Sequence, residues 1–547
     1  MSKAQFSASP YQTAVLSKST IVPSDHQQLY RDGETMRFEV PSFMSYIDPR
    51  QSYFKCRVRI DPAEATNHIR LKLDPAVGAQ ALIDRIRIYD GNNQVQLENL
   101  ENYAERVALT NKYSSNESIN AKRELLEGLE TSSEFPNAQF FNAYTENQAV
   151  AASVNMNPNS LEIAMPLHSG ILGGEKLFPV ELFDGLRVEV DLNRSGKILR
   201  AFNPAGLAVD VGGKPFASGA LISNAAPSAT IKLFGEGDAG GYPGNTDTEK
   251  VTSCSNMKVG DSLSGITTDG SVVVLGTIQS FGIVNGGAGF AGDHTEVILT
   301  APYTPIAGGT KDLPIWTAGN DPAGQVFVTT SQYNTNLPRV LIDDVELVLK
   351  QVTPPAGLIN QYAKAIQTEA GASIDIMTFE TYRNNIQADE SVSQVQIPSY
   401  NSRAKSVLCL PMDNGVSQNL TTANLATTLD GIQEYQFYIN GQPQPTRSVA
   451  VGDLSKTQPT CNQVALWELQ KALSTSGVKV RDLEKPETAF AIGRALARYN
   501  GVYNLKDVGG LALKQEYSGS TKNKLLITFI GSLRRLTINS SGKIVEL

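Results

Sequence analysis

Among residues whose type and spacing could do chemistry, Ser262 comes first, in Gly260-Asp261-Ser262-Leu263-Ser264-Gly265. A serine nucleophile needs a histidine to take its proton and a third group to orient that histidine. Only His294 follows it, in Ala-Gly-Asp-His-Thr-Glu, which is not the Asp-x-x-His setting such a base needs. The string is therefore expected to be a β-turn. Gly287-Ala-Gly-Phe-Ala-Gly292 has the letters of a dinucleotide loop. That loop must follow a strand and open a helix, whereas "DHTEVILT" after it alternates like a strand, so a plain loop is expected. The four histidines, His26, His68, His168 and His294, are not spaced with one another or with cysteine for a tetrahedral metal site. Cys56, Cys254, Cys409 and Cys461 lie far apart with no Cys-x-x-Cys, which fits reduced, buried thiols.

Two acidic pairs, Asp343-Asp344 and Glu98/Glu101, could serve general acid–base work. Their neighbours place the first on the wet face of a strand and the second on the polar side of a helix, so both are expected to be solvated. "PLHSGILGGEKLFPVELFDGLRVEV" (166–190) has a cluster of glycines, Gly170, Gly173 and Gly174. A phosphate loop would need Gly-Lys-Ser/Thr next, and Glu175-Lys176 follows instead. The segment reads as a tight connection into a strand. The residues thus call for no catalytic, cofactor or metal site, and for no cofactor.

The elements that would position such residues are mostly strands. In "SYFKCRVRI", Phe54, Cys56, Val58 and Ile60 share one face, and Lys55, Arg57 and Arg59 the other. Ahead of it lies a looser strand with Phe38, Val40 and Phe43. "HIRLKLDP" and "LIDRIRIYDGNNQVQL" continue the pattern, the latter as a hairpin turning at Asp90-Gly91-Asn92-Asn93. The period then changes: Leu100, Tyr103, Ala104 and Val107 are spaced for a helix, and "SNESINAKRELLEGLE" reads as a second one. Strands resume at "LEIAMPL" and "GLRVEVDLN". Val345, Leu347 and Leu349 face inward in the strand "VLIDDVELVLKQV". "VALWELQKALSTSG" is a helix stopping at Gly477, and "PETAFAIGRALARYNG" reads as another, from Pro486 to Gly501. "NKLLITFIGSLRRLTINSSGKIVEL" reads as three short strands.

The chain has 547 residues, 41% hydrophobic and 19% charged, enough apolar material for large cores. A net charge of −8 argues against a protein that coats nucleic acid. The start has no apolar signal-peptide core, and no apolar run is long enough to span a membrane. Residues 226–330 hold 18 of the 45 glycines, four lysines, no arginine and ten acidic residues. They read as an acidic all-β insertion that projects from the scaffold. The expected organisation is an N-terminal arm over 1–33, a first β unit over 34–352 containing that insertion, a linker with a short helix over 353–372, and a second β unit over 373–547. The fold class is mainly β: two tandem jelly-roll β-sandwiches with short helices in the loops and an all-β insertion in the first.

The order of "FEVPSF…YIDPRQSYFKCRVRI", "ALIDRIRIYDGNNQVQLENLENYAERV" and "MPLHSGILGGEKLFPVELFDGLRVEVDLN" resembles the double jelly-roll major capsid proteins. It looks most like those of Polinton-like viruses and virophages. They too have an I-x-R-I-x-I-Y-D-G hairpin, here Ile83 to Gly91, leading into a helix with a tyrosine. Their second halves have F-Y-I-N-G-x-x-x-P-x-R, matched by Phe437 to Arg447. The resemblance covers roughly 36–200 and 335–547, and the 226–330 insertion departs from the pattern.

It implies a structural virion protein rather than an enzyme. Three chains would form a trimer with a pseudo-sixfold outline, and trimers would tile an icosahedral shell around double-stranded DNA, assembled inside the host cell. It also implies minor capsid and penton proteins as partners, an outward tower at 226–330 able to meet a host receptor, and no sequence-specific nucleic-acid binding. The competing reading is a β-sandwich adhesin or lectin-like spike, resting on the acidic, glycine-rich insertion.

Overall fold

A computed structural model of the chain describes residues 15–25, 27–60, 70–74, 77–114, 126–127, 141–142, 160–201, 210–211, 214–215, 228–233, 262–266, 272–284, 294–303, 326–329, 339–354, 356–368, 371–414, 431–451, 463–478, 480, 491–497, 501–506, 510–520, 523–540 and 542–546. The alternation at 54–60 belongs to a 15-residue strand, β4 (Tyr46–Ile60). Phe54, Cys56 and Val58 are buried on its dry face, and Lys55 and Arg57 are half-exposed on the other.

The strand β4 pairs with β20 (Val340–Thr353) on one side and with β9 (Ser160–Met165) and β10 (Phe178–Pro179) on the other. β1 (Val15–Ile21) and β2 (Leu29–Arg31) complete this sheet against β20. Within the stretch read as an N-terminal arm over 1–33, Val15–Ile21 and Leu29–Arg31 are docked on β20 as strands of this sheet. The facing sheet runs β3 (Thr35–Val40), β11 (Leu186–Leu192), β6 (Ile83–Asp90) and β7 (Gln96–Glu101). Its alternation follows the sequence: Leu186, Val188, Val190 and Leu192 point into the core. On the outer face Glu189 is nonetheless buried, held between Arg37, Arg87 and Arg187 at 2.9–3.3 Å.

The second sandwich repeats the plan. One sheet is β21 (Ala372–Ile386), β28 (Lys524–Asn539), β23 (Ala404–Asp413) and β26 (Ile492–Ala495), with β29 (Gly542–Glu546) on β28. The other is β22 (Val392–Ile397), β27 (Leu511–Tyr517), β24 (Ile432–Ile439) and β25 (Gln442–Ala450). Counting the main strands of each sandwich in chain order, both have one sheet 1-8-3-6 and the other 2-7-4-5. In the first sandwich β1 and β2 share the first place, and β9 and β10 the sixth. This is the jelly-roll order, two interleaved Greek keys. A helix occupies the connection between the fifth and sixth strands in both: α1 (Tyr103–Ser114) and α4 (Gln463–Thr475).

Between the seventh and eighth strands of the first sandwich the chain builds a separate five-stranded sheet. It consists of β15 (Ser228–Leu233), β16 (Ser262–Ile266), β17 (Val272–Val284), β18 (His294–Tyr303) and β19 (Val326–Thr329), in the order β15-β18-β17-β16-β19. Smaller pieces are β5 (Arg70–Leu73) with β8 (Phe141–Asn142) and β12 (Leu199–Ala201), the hairpin β13 (Asp210–Val211) and β14 (Lys214–Pro215), and the single turn α2 (Ser195–Ile198). The connecting helix α3 (Ala356–Ile366) lays Tyr362 on Tyr46, centroids 6.4 Å apart, beside Val352 and Ala372.

Several local expectations change. Leu100 is the buried end of strand β7, and the helix begins only at Tyr103, so a helical spacing there spans a strand-to-helix corner. In β20 a bulge at Asp343-Asp344, with Asp344 at φ +49°, shifts the phase. Val340 and Ile342 face the core before it, and Val345, Leu347 and Leu349 after it. Residues 492–495, expected in a helix from Pro486 to Gly501, form the edge strand β26 on β23. A side chain at Gly493 would put Cβ 2.8 Å from Leu469 Cα and 3.0 Å from Ala472 Cβ, so the glycine is what lets α4 lie on this strand. The C-terminal segment is two strands, not three, because β28 runs 16 residues through Gly531 without a break. The helix proposed over 115–130 and Ile69 of "HIRLKLDP" fall almost wholly outside the described residues.

Candidate functional site

The two sandwiches meet along a seam that buries a shared apolar core. Leu97, Leu100, Ile171 and Leu172 from the first belong to the same cluster as Ile374, Ile376, Phe379 and Leu536 from the second. Burying one such side chain is worth about 1.5–3 kcal/mol relative to leaving it exposed. The pairing is between unlike edges: β7, the fifth strand of the first sandwich, packs on β21, the first strand of the second. Polar bonds fix the register. Thr381 Oγ1 donates to the Glu101 carbonyl (2.8 Å), Arg383 Nε to Asn102 Oδ1 (2.7 Å), and Arg534 to the Leu97 carbonyl (2.8 Å).

Glu98 lies at the centre of the seam with none of its surface exposed. Its carboxylate accepts from Ser169 Oγ at 2.5 Å and from the Gly170 backbone N–H at 2.8 Å. Ser169 Oγ in turn accepts from the N–H groups of Ile171 and Leu172 at 3.1 and 3.0 Å. The glycine-rich turn is thereby tied to β7 and wedged against β21. A Cβ on Gly170 would lie 2.5 Å from the Met377 carbonyl oxygen. Burial lowers the pKa of nearby Arg534, an effect that the charges of Glu98 and Glu380 oppose.

At one end of the seam Lys543, on β29, crosses to the first sandwich. Its Nζ donates to Asp90 Oδ2 (2.8 Å), Asp184 Oδ2 (2.7 Å) and the Phe183 carbonyl (3.2 Å). Burial pushes the Asp90 carboxyl upward, but the Lys543 bond and the Val95 and Gln94 backbone N–H groups outweigh it and leave the pKa lowered. Beside the glycine-rich turn a cleft of about 680 Å³ opens, with walls from both sandwiches. Arg106, on α1, lines it over the Phe379 ring, 5.7 Å from the centroid.

The residues singled out by sequence are not brought together. Ser262 begins strand β16 rather than a turn, paired with Thr277 and Thr329, and His294 begins β18. Gly287–Gly292, His26, His68, Cys254 and Cys461 lie outside the described residues. His168 stacks edge-on with Tyr103. Cys56 and Cys409 are buried free thiols; burial raises both, Cys409 to about 12. The solvated reading fails for Glu98, which is in a strand and buried, and for Asp343, buried and bonded by Arg57 (2.6 Å) and Arg59 (3.0 Å). Asp344, which also pairs with Arg57, is exposed as expected. Among the described residues no cluster of His, Cys, Asp and Glu could hold a metal, and no helix is long and apolar enough to cross a membrane.

The seam residues Arg106, Arg534 and Lys543 were not singled out. One signal existed: Arg534 alternates in phase with Leu536 and Ile538, an arginine on an apolar face.

No protein-family profile matches the chain, and no curated protein matches it by sequence. Solved structures do match. The Faustovirus major capsid protein aligns over 98% of this chain and 92% of its own, at 9% identity and TM-score 0.52. The chain shares that protein's fold. The PBCV-1 virus capsid aligns over 99% of both chains at 8% identity and TM-score 0.46. The mavirus major capsid protein aligns over 100% of this chain and 92% of its own at 10% identity and TM-score 0.35. The likeness to the Faustovirus protein agrees with the double jelly-roll fold that the sequence motifs imply.

Proposed function

We propose that this chain is the major capsid protein of an icosahedral double-stranded DNA virus, that three copies form a pseudo-hexagonal capsomer, and that it acts as structure rather than as an enzyme. The observation that carries the reading is the seam: two sandwiches of identical strand order, joined edge to unlike edge into one unit. Tiling needs rigid, repeated blocks that bind copies of themselves, and the buried polar ties make this pair such a block.

The two halves also differ where the reading needs them to. In the first sandwich α1 is buried, with Val107, Ala108 and Leu109 covered. Its counterpart α4 exposes Trp467 (58%) and Val464 (53%), and β25, the counterpart of β7, is mostly exposed. These are the surfaces a neighbouring chain would cover. The 226–330 sheet lies outside both sandwiches in strand pairing, which suits an outward tower available to a receptor; minor capsid and penton proteins would meet the assembled trimers.

The test is the solution mass of the recombinant chain by light scattering after size exclusion. A trimer is about 177 kDa, three chains of 59.0 kDa, and should show hexagonal outlines in stained images. A clean monomer at micromolar concentration would sink the capsid reading and favour a monomeric spike or adhesin.

A further inference from the structure

We propose that the cleft between the two sandwiches is an oxyanion site, anchored by Arg106, that takes a ligand bearing a carboxylate or phosphate. Arg106 is 8% exposed. One of its terminal N–H groups donates to Thr110 Oγ1 at 2.8 Å, and Phe379 covers one face. Among the described residues no carboxylate pairs with it.

That is unusual for a charge taken so far out of water, which is strongly disfavoured unless a counter-charge is present. Arg534, the other buried arginine among the described residues, lies near Glu98 and Glu380, and the half-buried Arg494 has Glu468 at 2.6 Å. The acidic residues of the cleft do not fill the role. Asp375 is engaged by Arg535 (2.8 Å) and Arg403 (3.3 Å), and Glu175 is exposed.

The wall also holds an orphan. Thr378, 6% exposed and contributed by the second sandwich, has a hydroxyl with no hydrogen-bond partner. Lys176, exposed on the same wall, adds positive charge. A guanidinium presents paired N–H donors that match a carboxylate or phosphate. A cleft of about 680 Å³ is larger than a single ion needs and falls within the usual range for small-ligand pockets. Apolar walls such as Val107, Ile376 and Phe379 would take the ligand's body. Such a ligand would touch both sandwiches at once and stiffen the seam.

The experiment is calorimetric titration of the full chain at constant ionic strength, with inorganic phosphate in one arm and succinate in the other, followed by thermal unfolding in each. Saturable binding is expected in at least one arm, with the unfolding midpoint rising with ligand concentration as linkage requires. The responding arm identifies the source of the oxyanion. Arg106→Met should abolish binding, and Lys176→Gln should weaken it several-fold. No saturable binding in either arm, or equal binding by Arg106→Met, overturns the proposal. Should Arg106→Met fail to fold, a density map of the unmodified chain with saturating ligand decides. Density on the Arg106 guanidinium supports the site, and density elsewhere or none refutes it.

Discussion

Replacing Lys543 by methionine is the sharpest test of the seam as a rigid joint. The side chain is 15% exposed and reaches two carboxylates and a carbonyl of the other sandwich. The Asp184 bond is worth little, because Asp184 is 57% exposed and surface pairs contribute about 0–1 kcal/mol. The Asp90 bond dominates, since that carboxylate is 1% exposed and a hydrogen bond to a charged group is worth about 1.5–3 kcal/mol. The expected loss is therefore about 2 kcal/mol, roughly thirtyfold in the equilibrium for opening this end of the seam. It should appear as faster backbone hydrogen exchange in β29 and the 90–93 turn. A double-mutant cycle with Asp90→Asn should give a coupling of the same size.

The pH dependence has a definite sign. Asp90 has a lowered pKa in the folded chain, so its contribution is complete above the unfolded value, near 3.9, and disappears as pH falls through the lower folded value. Urea unfolding from pH 7 to pH 3 should show that acid loss in the unmodified chain and a shallower one in Lys543→Met. Unchanged exchange at pH 7 together with a coupling near zero would refute the reasoning, and Lys543 would then be an ornament of the surface.

Three further outcomes follow from the packing. Gly493→Ala should cost about 1–3 kcal/mol by forcing α4 off β26, read as a lower urea midpoint with little change in slope, because the new Cβ meets Leu469 Cα at 2.8 Å. Glu98→Gln should cost about 1–3 kcal/mol, since an amide cannot accept from Ser169 and Gly170 with both of its groups; faster exchange of the Gly170 amide would reveal it, and an unchanged rate would contradict the wedge. Phe529→Ala removes a wholly buried ring packed edge-on to Phe379 at 5.4 Å, and should cost about 3–5 kcal/mol in thermal or urea unfolding.

The sandwiches were legible because their strands alternate: β4 and β11 could be read residue by residue, and the 90–93 hairpin by its turn. Periodicity failed where two constraints overlap. Leu100 and Tyr103 are both buried, so a corner between strand and helix imitates one helix. Residues 492–495 contain good helix formers, but Gly493 and the edge of β23 impose a strand, a tertiary effect that local propensity does not contain. The seam was hidden for a different reason. Glu98 and Lys543 are charged residues in ordinary strand positions, and only contacts more than 70 and 350 residues away in sequence make them buried partners.

The form of the seam also bears on assembly. If the two sandwiches met through the same patch on each, the contact would be self-complementary and would close as a pair. Here the fifth strand of one meets the first strand of the next, so each sandwich has one surface of each kind, and the contact is heterologous. One covalent chain satisfies this contact once. It leaves the second sandwich's fifth strand, β25, and the first sandwich's first strand, β1, without the corresponding neighbour, and both are largely exposed. Repeating the same step from chain to chain either winds into an open filament or closes into a ring. Two sandwiches per chain make every closed ring an even number of blocks, and the trimer proposed above is the ring of six, one of the even rings whose outline packs a plane without gaps. Under the proposed ring, the duplication, the unlike edges and the two exposed edge strands β25 and β1 would share one physical explanation, and a solution mass other than a closed ring of chains would remove it.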